Sequence, residues 1–134
     1  VLAVSGPGRV GRPVAGMFSR DDAVTGFDTD AARSGELRSG FDRTREVDGP
    51  PLEAATLAFT ADAGDISGFD IYVLTVPTPV DADNAPDLSA VREASRIVGG
   101  VMAKGAIVVY ESTVYPGVTE TIGGSGLFIG GRIA

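Results

Sequence analysis

The chain contains no cysteine and no histidine, and its single lysine is Lys104. The absence of cysteine excludes disulfides and a thiol nucleophile. The absence of histidine removes imidazole as a general acid or base, and the two absences together exclude a Cys- or His-ligated metal site. No apolar run approaches the ~20 residues of a membrane-spanning helix. The amino-terminal residues lack the charged and apolar regions of a signal peptide, so a cytoplasmic location is expected. The first residue is Val1 rather than an initiator Met, as expected of a processed chain, a fragment or an incompletely covered one. Basic residues are outnumbered, 11 against 18 acidic, for a net charge of −7. That balance argues against non-specific nucleic-acid binding and against an anionic membrane surface. It does not oppose an anionic small ligand held at a helix N-terminus.

What is present is an ordinary globular composition, 43% hydrophobic and 22% charged, in 134 residues. That length suits one domain with a sizeable core. No internal repeat or linker divides it.

The opening stretch organises the rest. Val1 to Ser5 is an apolar, β-forming run. Ser5-Gly6-Pro7-Gly8-Arg9-Val10-Gly11 follows, then a helical segment from about Val10 to Ser19, with Pro13 in its first turn where a missing N–H costs little. G-x-G-x-x-G between a strand and a helix is the dinucleotide-binding pattern. Gly6 permits the tight turn, Gly8 lets a pyrophosphate approach the backbone, and Gly11 lets the helix pack closely on the sheet. The phosphates would sit at the helix N-terminus, in the field of its dipole. With 19 glycines in the chain the pattern has little weight alone, and its position carries the argument. A second strand, Ala23 to Asp28, ends in an acid 17 residues beyond Gly11. That is close to the ~20-residue spacing of the carboxylate that binds the adenosine ribose. Asp28 either takes that role or caps the next helix, and the glycines favour the ribose.

Further elements alternate. A helix is expected over Asp30 to Ser39, with Gly40 as its C′ residue. After a polar loop, Leu52 to Thr56 reads as a helical turn and Leu57 to Thr60 as an edge-like third strand. Ala61 to Phe69 reads as a short helix or turn. Asp70 to Val76 is the strongest strand signal, nearly continuous and β-rich, as in a central parallel strand covered on both faces. Pro77-Thr78-Pro79 stops it. A helix from Leu88 or Ser89 to about Met102 carries Val91, Ala94, Ile97, Val98 and Val101 at helical spacing. Ala106 to Tyr110 is a fifth strand. Val118 to Ile122 is too short for a firm helix, and Leu127 to Ile129 is a candidate sixth strand. Strands alternating with helices predict an α/β fold: a Rossmann-like, doubly wound parallel sheet in three layers, order 3-2-1-4-5, extended by any sixth strand.

Several blocks stand in a specific order: Gly6-Pro7-Gly8-Arg9-Val10-Gly11; Gly26-Phe27-Asp28; Glu36-Leu37 through Gly40, Asp42, Thr44 and Glu46; Val76-Pro77-Thr78-Pro79-Val80-Asp81 with Pro86-Asp87-Leu88-Ser89; and Tyr110-Glu111-Ser112-Thr113-Val114-Tyr115-Pro116-Gly117. Together they resemble the nucleotide-sugar 6-dehydrogenases, which include the UDP-glucose, GDP-mannose and UDP-N-acetylhexosamine enzymes of polysaccharide precursor synthesis. The Tyr-Pro-Gly variant looks most like the UDP-N-acetylhexosamine branch. The match runs from Val1 to about Glu120, so residues 1–134 would form the family's NAD-binding domain, with its substrate and C-terminal domains absent.

The resemblance implies NAD as cofactor and an oxidoreductase as parent protein, a homo-oligomer that oxidises a UDP-sugar to a UDP-uronic acid. It implies that Gly8, Arg9 and Val10 lie under the pyrophosphate and that Asp28 binds the ribose hydroxyls. Arg33 would flank that ribose or the adenine, with a solvated helix-surface charge as the alternative. Pro77, Thr78 and Pro79 would line the crevice at the fourth strand's end, and Ser112, Thr113 and Val114 at the fifth's. The prolines could instead only terminate the strand, and Thr113 could cap a following helix.

Arg9 stands where the family usually has tyrosine. The family works through a thiohemiacetal on a cysteine, and this chain has none. The chain is therefore expected to supply the cofactor half of the site, with no catalytic residue and no metal, and to be inactive alone. A stand-alone, non-catalytic dinucleotide-binding module is the alternative, and the length of the reading frame separates the two. A β-hydroxyacid dehydrogenase is disfavoured by the Pro-Thr-Pro and Glu-Ser-Thr-Val blocks.

Overall fold

A computed structural model describes residues 1–6, 11–18, 23–39, 57–80, 85–112 and 132–133. Its elements are β1 (Leu2–Ser5), α1 (Gly11–Phe18), β2 (Val24–Phe27), α2 (Ala31–Arg38), β3 (Leu57–Thr60), a 3-10 turn (Ala63–Ile66), β4 (Ile71–Leu74), α3 (Ser89–Val101), β5 (Ile107–Tyr110) and β6 (Arg132–Ile133). The sheet has the order β3-β2-β1-β4-β5-β6, and every neighbouring pair is parallel. The doubly wound order expected from the sequence is the one observed. The last strand is Arg132–Ile133, pairing with Ile107 and Val108. The expected strand at Leu127 to Ile129, the turns at Leu52 to Thr56 and Val118 to Ile122, and the C′ role of Gly40 lie outside the described residues.

The side-chain alternation of a strand builds the layers. Leu2, Val4, Val24 and Val73 point to one face and pack with Ala15 of α1. Ala3, Phe27, Tyr72, Leu74 and Val108 point to the other and pack with Ala94 and Val98 of α3. The chain moves one way along the sheet from β1 to β3 and the opposite way from β4 to β5, and α1 and α3 pack on opposite faces. That is why β1 and β4 read as almost unbroken apolar runs. Full burial of a side chain such as Leu74 or Val98 contributes about 1.5–3 kcal/mol.

Local chemistry sets the helix ends. The Asp30 carboxylate accepts the N–H groups of Ala32 and Arg33 and caps α2. Asp87 accepts the Ser89 N–H at 2.9 Å at the start of α3. The Ser89 hydroxyl, and after it that backbone bond, hold the Asp87 carboxyl below its ordinary range.

Candidate functional site

The hydrogen-bond ladder runs one residue past the carboxyl end of four strands. Gly6 N–H donates to Phe27 O at 2.9 Å, Thr75 N–H to Ser5 O at 2.9 Å, Asp28 N–H to Thr60 O at 3.1 Å and Glu111 N–H to Leu74 O at 2.9 Å. Each loop therefore leaves the sheet from a fixed point. These ends flank the place where strand order reverses, with β2 on one side of β1 and β4 on the other. A doubly wound sheet opens its binding crevice there.

Gly6 turns the chain off β1 with φ +84°, in the left-handed region that glycine enters freely. A Cβ on Gly6 would stand 3.2 Å from Val76 Cγ1 and 3.3 Å from the Thr75 carbonyl carbon. Gly11 opens α1 with its Cα against the turn, and a Cβ there would overlap Thr75 Oγ1 and the Gly6 carbonyl oxygen. The close helix-to-sheet approach read from the glycine spacing is thus present at Gly11. No acidic residue lies in the first turn of α1. Gly8, Arg9 and Val10 lie outside the described residues.

Beyond these ends is a crevice of about 220 Å³. Ser5 and Gly6 form its floor from β1, Phe27 and Asp28 one side from β2, and Val76 and Pro77 the other from β4. Its far wall is α3, through Ala90, Ala94 and Ile97, with Glu93 beside them. The size suits one nucleoside rather than a whole dinucleotide, since pockets for drug-sized ligands start at about 300 Å³. Glu93 is held by a two-pronged bond from Arg96, at 2.7 and 3.0 Å, which lowers its carboxyl below the ordinary range.

Asp28 is half-buried at the crevice edge, and its Oδ1 accepts the Asp30 N–H at 2.9 Å. The cap of α2 is Asp30, so Asp28 orients the capping residue without being the cap. Arg33 is only 6% exposed and pairs with Glu36 at 3.5 Å. It is not a solvated surface charge, and it is not among the residues that line the crevice. Pro77 and Pro79 are both exposed; Pro77 lines the crevice, and the Pro79 carbonyl accepts the Asp87 N–H at 2.7 Å. Thr78 is half-buried between them. The Ser112 hydroxyl donates to Val76 O at 2.7 Å, tying the loop after β5 to the loop after β4. Thr113 and Val114 lie outside the described residues.

Sequence reasoning missed three contributions. Ala94 and Ile97 read only as apolar positions at helical spacing and Ala90 was not singled out, yet together they wall the crevice. The small side chains of Ala90 and Ala94, facing a sheet end, were the available signal. Thr75 read as one more β-former inside a strand, although its hydroxyl bonds at 3.0 Å to Ser5 O and at 2.7 Å to Gly6 O. The Ser95–Tyr110 contact of 2.8 Å, which ties α3 to the end of β5, also had no local signature.

Among the described residues, no group of three or more His, Cys, Asp or Glu is placed to hold a metal ion. None of the described helices is long and apolar enough to cross a membrane.

Comparison with known proteins agrees with this geometry. Residues 1–125 match the family model described as the UDP-glucose/GDP-mannose dehydrogenase family, NAD binding domain. The chain is 48% identical over 120 residues to UDP-N-acetyl-D-glucosamine 6-dehydrogenase of Pseudomonas aeruginosa, covering 89% of this chain and 28% of that protein. The solved UDP-D-ManNAc dehydrogenase of Pyrococcus horikoshii superposes with a TM-score of 0.82 at 30% identity, covering 98% of this chain and 34% of that one. A UDP-glucose dehydrogenase from Pyrobaculum islandicum gives 0.85 at 28% identity, with 98% and 34% covered. The chain thus spans about a third or less of the length of these relatives. Sheet order, glycine turn and family match agree, and the chain belongs to the UDP-glucose/GDP-mannose dehydrogenase family as its NAD-binding domain.

Proposed function

We propose that this chain holds the adenosine half of NAD in the crevice beyond β1, β2 and β4, as the cofactor half of a UDP-N-acetylhexosamine 6-dehydrogenase. One observation carries the reading: the half-buried Asp28 carboxylate lines that crevice beside the Gly6 turn. The residues present fit the cofactor. Gly6 brings bare backbone to the crevice lining beside Asp28. Ala90, Ala94 and Ile97 offer an apolar wall to a base.

In this reading Asp28 accepts hydrogen bonds from the ribose diol. Gly6, Gly8, Arg9, Val10 and Gly11 surround the pyrophosphate at the start of α1. Pro77, Thr78, Pro79, Ser112, Thr113 and Val114 border the path toward the reacting half, and the Ser112 bond to Val76 O keeps those two loops together. Bound NAD supplies a hydride acceptor. The chain's own residues orient the cofactor and keep water from its adenosine end. The substrate, most simply a UDP-N-acetylhexosamine, and the oxidation of its C6 alcohol belong to the whole protein. The family match and the 48% identity to a UDP-N-acetyl-D-glucosamine 6-dehydrogenase support that assignment.

Calorimetry with NAD and NADP tests the Asp28 role. Wild type should prefer NAD, because Asp28 repels a 2′-phosphate. Asp28→Asn keeps an oxygen for the Asp30 N–H but removes the charge. It should weaken NAD about tenfold, the scale of a charge-assisted hydrogen bond, and narrow the preference. Tighter binding of NADP by wild type would refute the assignment.

A further inference from the structure

We propose that Thr75 is a positioning residue for the pyrophosphate-binding turn. It is not itself one of the residues lining the crevice, yet three features of the turn converge on it. Its side chain is buried, 8% exposed. Its hydroxyl bonds to Ser5 O at 3.0 Å and to Gly6 O at 2.7 Å, sharing one proton between two carbonyls. The same oxygen occupies the space that a Cβ on Gly11 would need. Thr75 Oγ1 thus sits between the residue that leaves β1 and the residue that begins α1. It fixes how the Gly6 peptide is tilted and how near the helix N-terminus comes to the sheet.

The two acceptors are not equivalent. Ser5 O also receives the Thr75 backbone N–H at 2.9 Å and keeps that bond in any variant. Among the described residues, Gly6 O has only the Thr75 hydroxyl as donor. Loss of the hydroxyl therefore falls on Gly6, the residue with φ +84°. Valine would also press a methyl group against that carbonyl and against Gly11. Anion binding at a helix N-terminus depends on where the unpaired N–H groups point, so a tilted turn loses phosphate affinity. The walls that β2 and α3 give the adenosine crevice, Phe27, Asp28, Ala90, Ala94 and Ile97, are built without Thr75 and keep their shape.

The inference rests on the pyrophosphate lying at this turn, and the test separates the two ideas. The dissociation constants of NAD, ADP-ribose and adenosine are measured by NMR titration on wild type, Thr75→Val and Thr75→Ser. Thr75→Val should weaken NAD and ADP-ribose about tenfold, the scale of one buried hydrogen bond plus a steric misfit, and leave adenosine within about twofold. Thr75→Ser, which keeps the hydroxyl, should restore both to within about threefold of wild type. If Thr75→Val does not fold, Thr75→Ala carries the same comparison. Unchanged NAD affinity, or an equal loss for adenosine, overturns the role of Thr75. If wild type itself binds adenosine as tightly as NAD, the pyrophosphate placement fails instead.

Discussion

Replacing glycine by alanine should have opposite effects at three positions of this chain. At Gly11 the new methyl would overlap the Gly6 carbonyl oxygen and Thr75 Oγ1. Neither can retreat cheaply: one is backbone at the end of a buried central strand, and the other is a buried hydroxyl bonded to that backbone. Overpacking of this kind costs about 3 kcal/mol, at the upper end of the usual range. With an unfolding entropy of roughly 0.3 kcal/mol per degree for a chain of this size, the melting temperature should fall by about 10 °C. At Gly35 in α2 and Gly100 in α3, both exposed, an added Cβ meets nothing within 4 Å. There alanine should stabilise by about 0.4–1 kcal/mol, through helix propensity and a less flexible unfolded chain. The expected gain is about 1–3 °C. Thermal melts of the three variants, followed by circular dichroism on matched samples, make the comparison. If Gly11→Ala melts with wild type, or rises with Gly35→Ala, then α1 does not lie against the turn as described and the packing argument is wrong.

Two further outcomes follow from composition and burial. Burial raises Tyr72 and Tyr110 above the ordinary tyrosine value. A raised folded-state value means their stability contribution is complete below about pH 10 and is lost as pH rises through the folded values. In a Tyr115→Phe background, phenolate absorbance should therefore develop above about pH 10 and together with loss of structure; titration at the ordinary value with the fold intact would refute this. The purified chain should form no NADH from UDP-glucose, UDP-N-acetylglucosamine, UDP-N-acetylgalactosamine or GDP-mannose, because it has neither a cysteine nor a histidine. Sustained absorbance growth at the NADH band would show that its own residues suffice.

The sequence by itself determined the element order, the parallel sheet and the sheet end at which a crevice opens. Those signals are local. A buried parallel strand such as Ile71–Leu74 must be apolar on both faces, and a turn such as Gly6 must accept a positive φ. The motif blocks added the family, because their spacing holds loop chemistry at successive strand ends. Tertiary structure alone decided which groups meet. Arg33 could be a surface charge or a ligand contact by sequence, and packing made it a buried partner of Glu36. Asp28 and Asp30 are both acids before a helix, and only the backbone path shows that Asp30 is the cap and Asp28 lines the crevice. Thr75 lies 69 residues from the Gly6 carbonyl it holds, and Ser112 lies 36 residues from Val76. No periodicity within a strand can signal such bonds, because they exist only when parallel crossovers bring separate strand ends to one edge of the sheet.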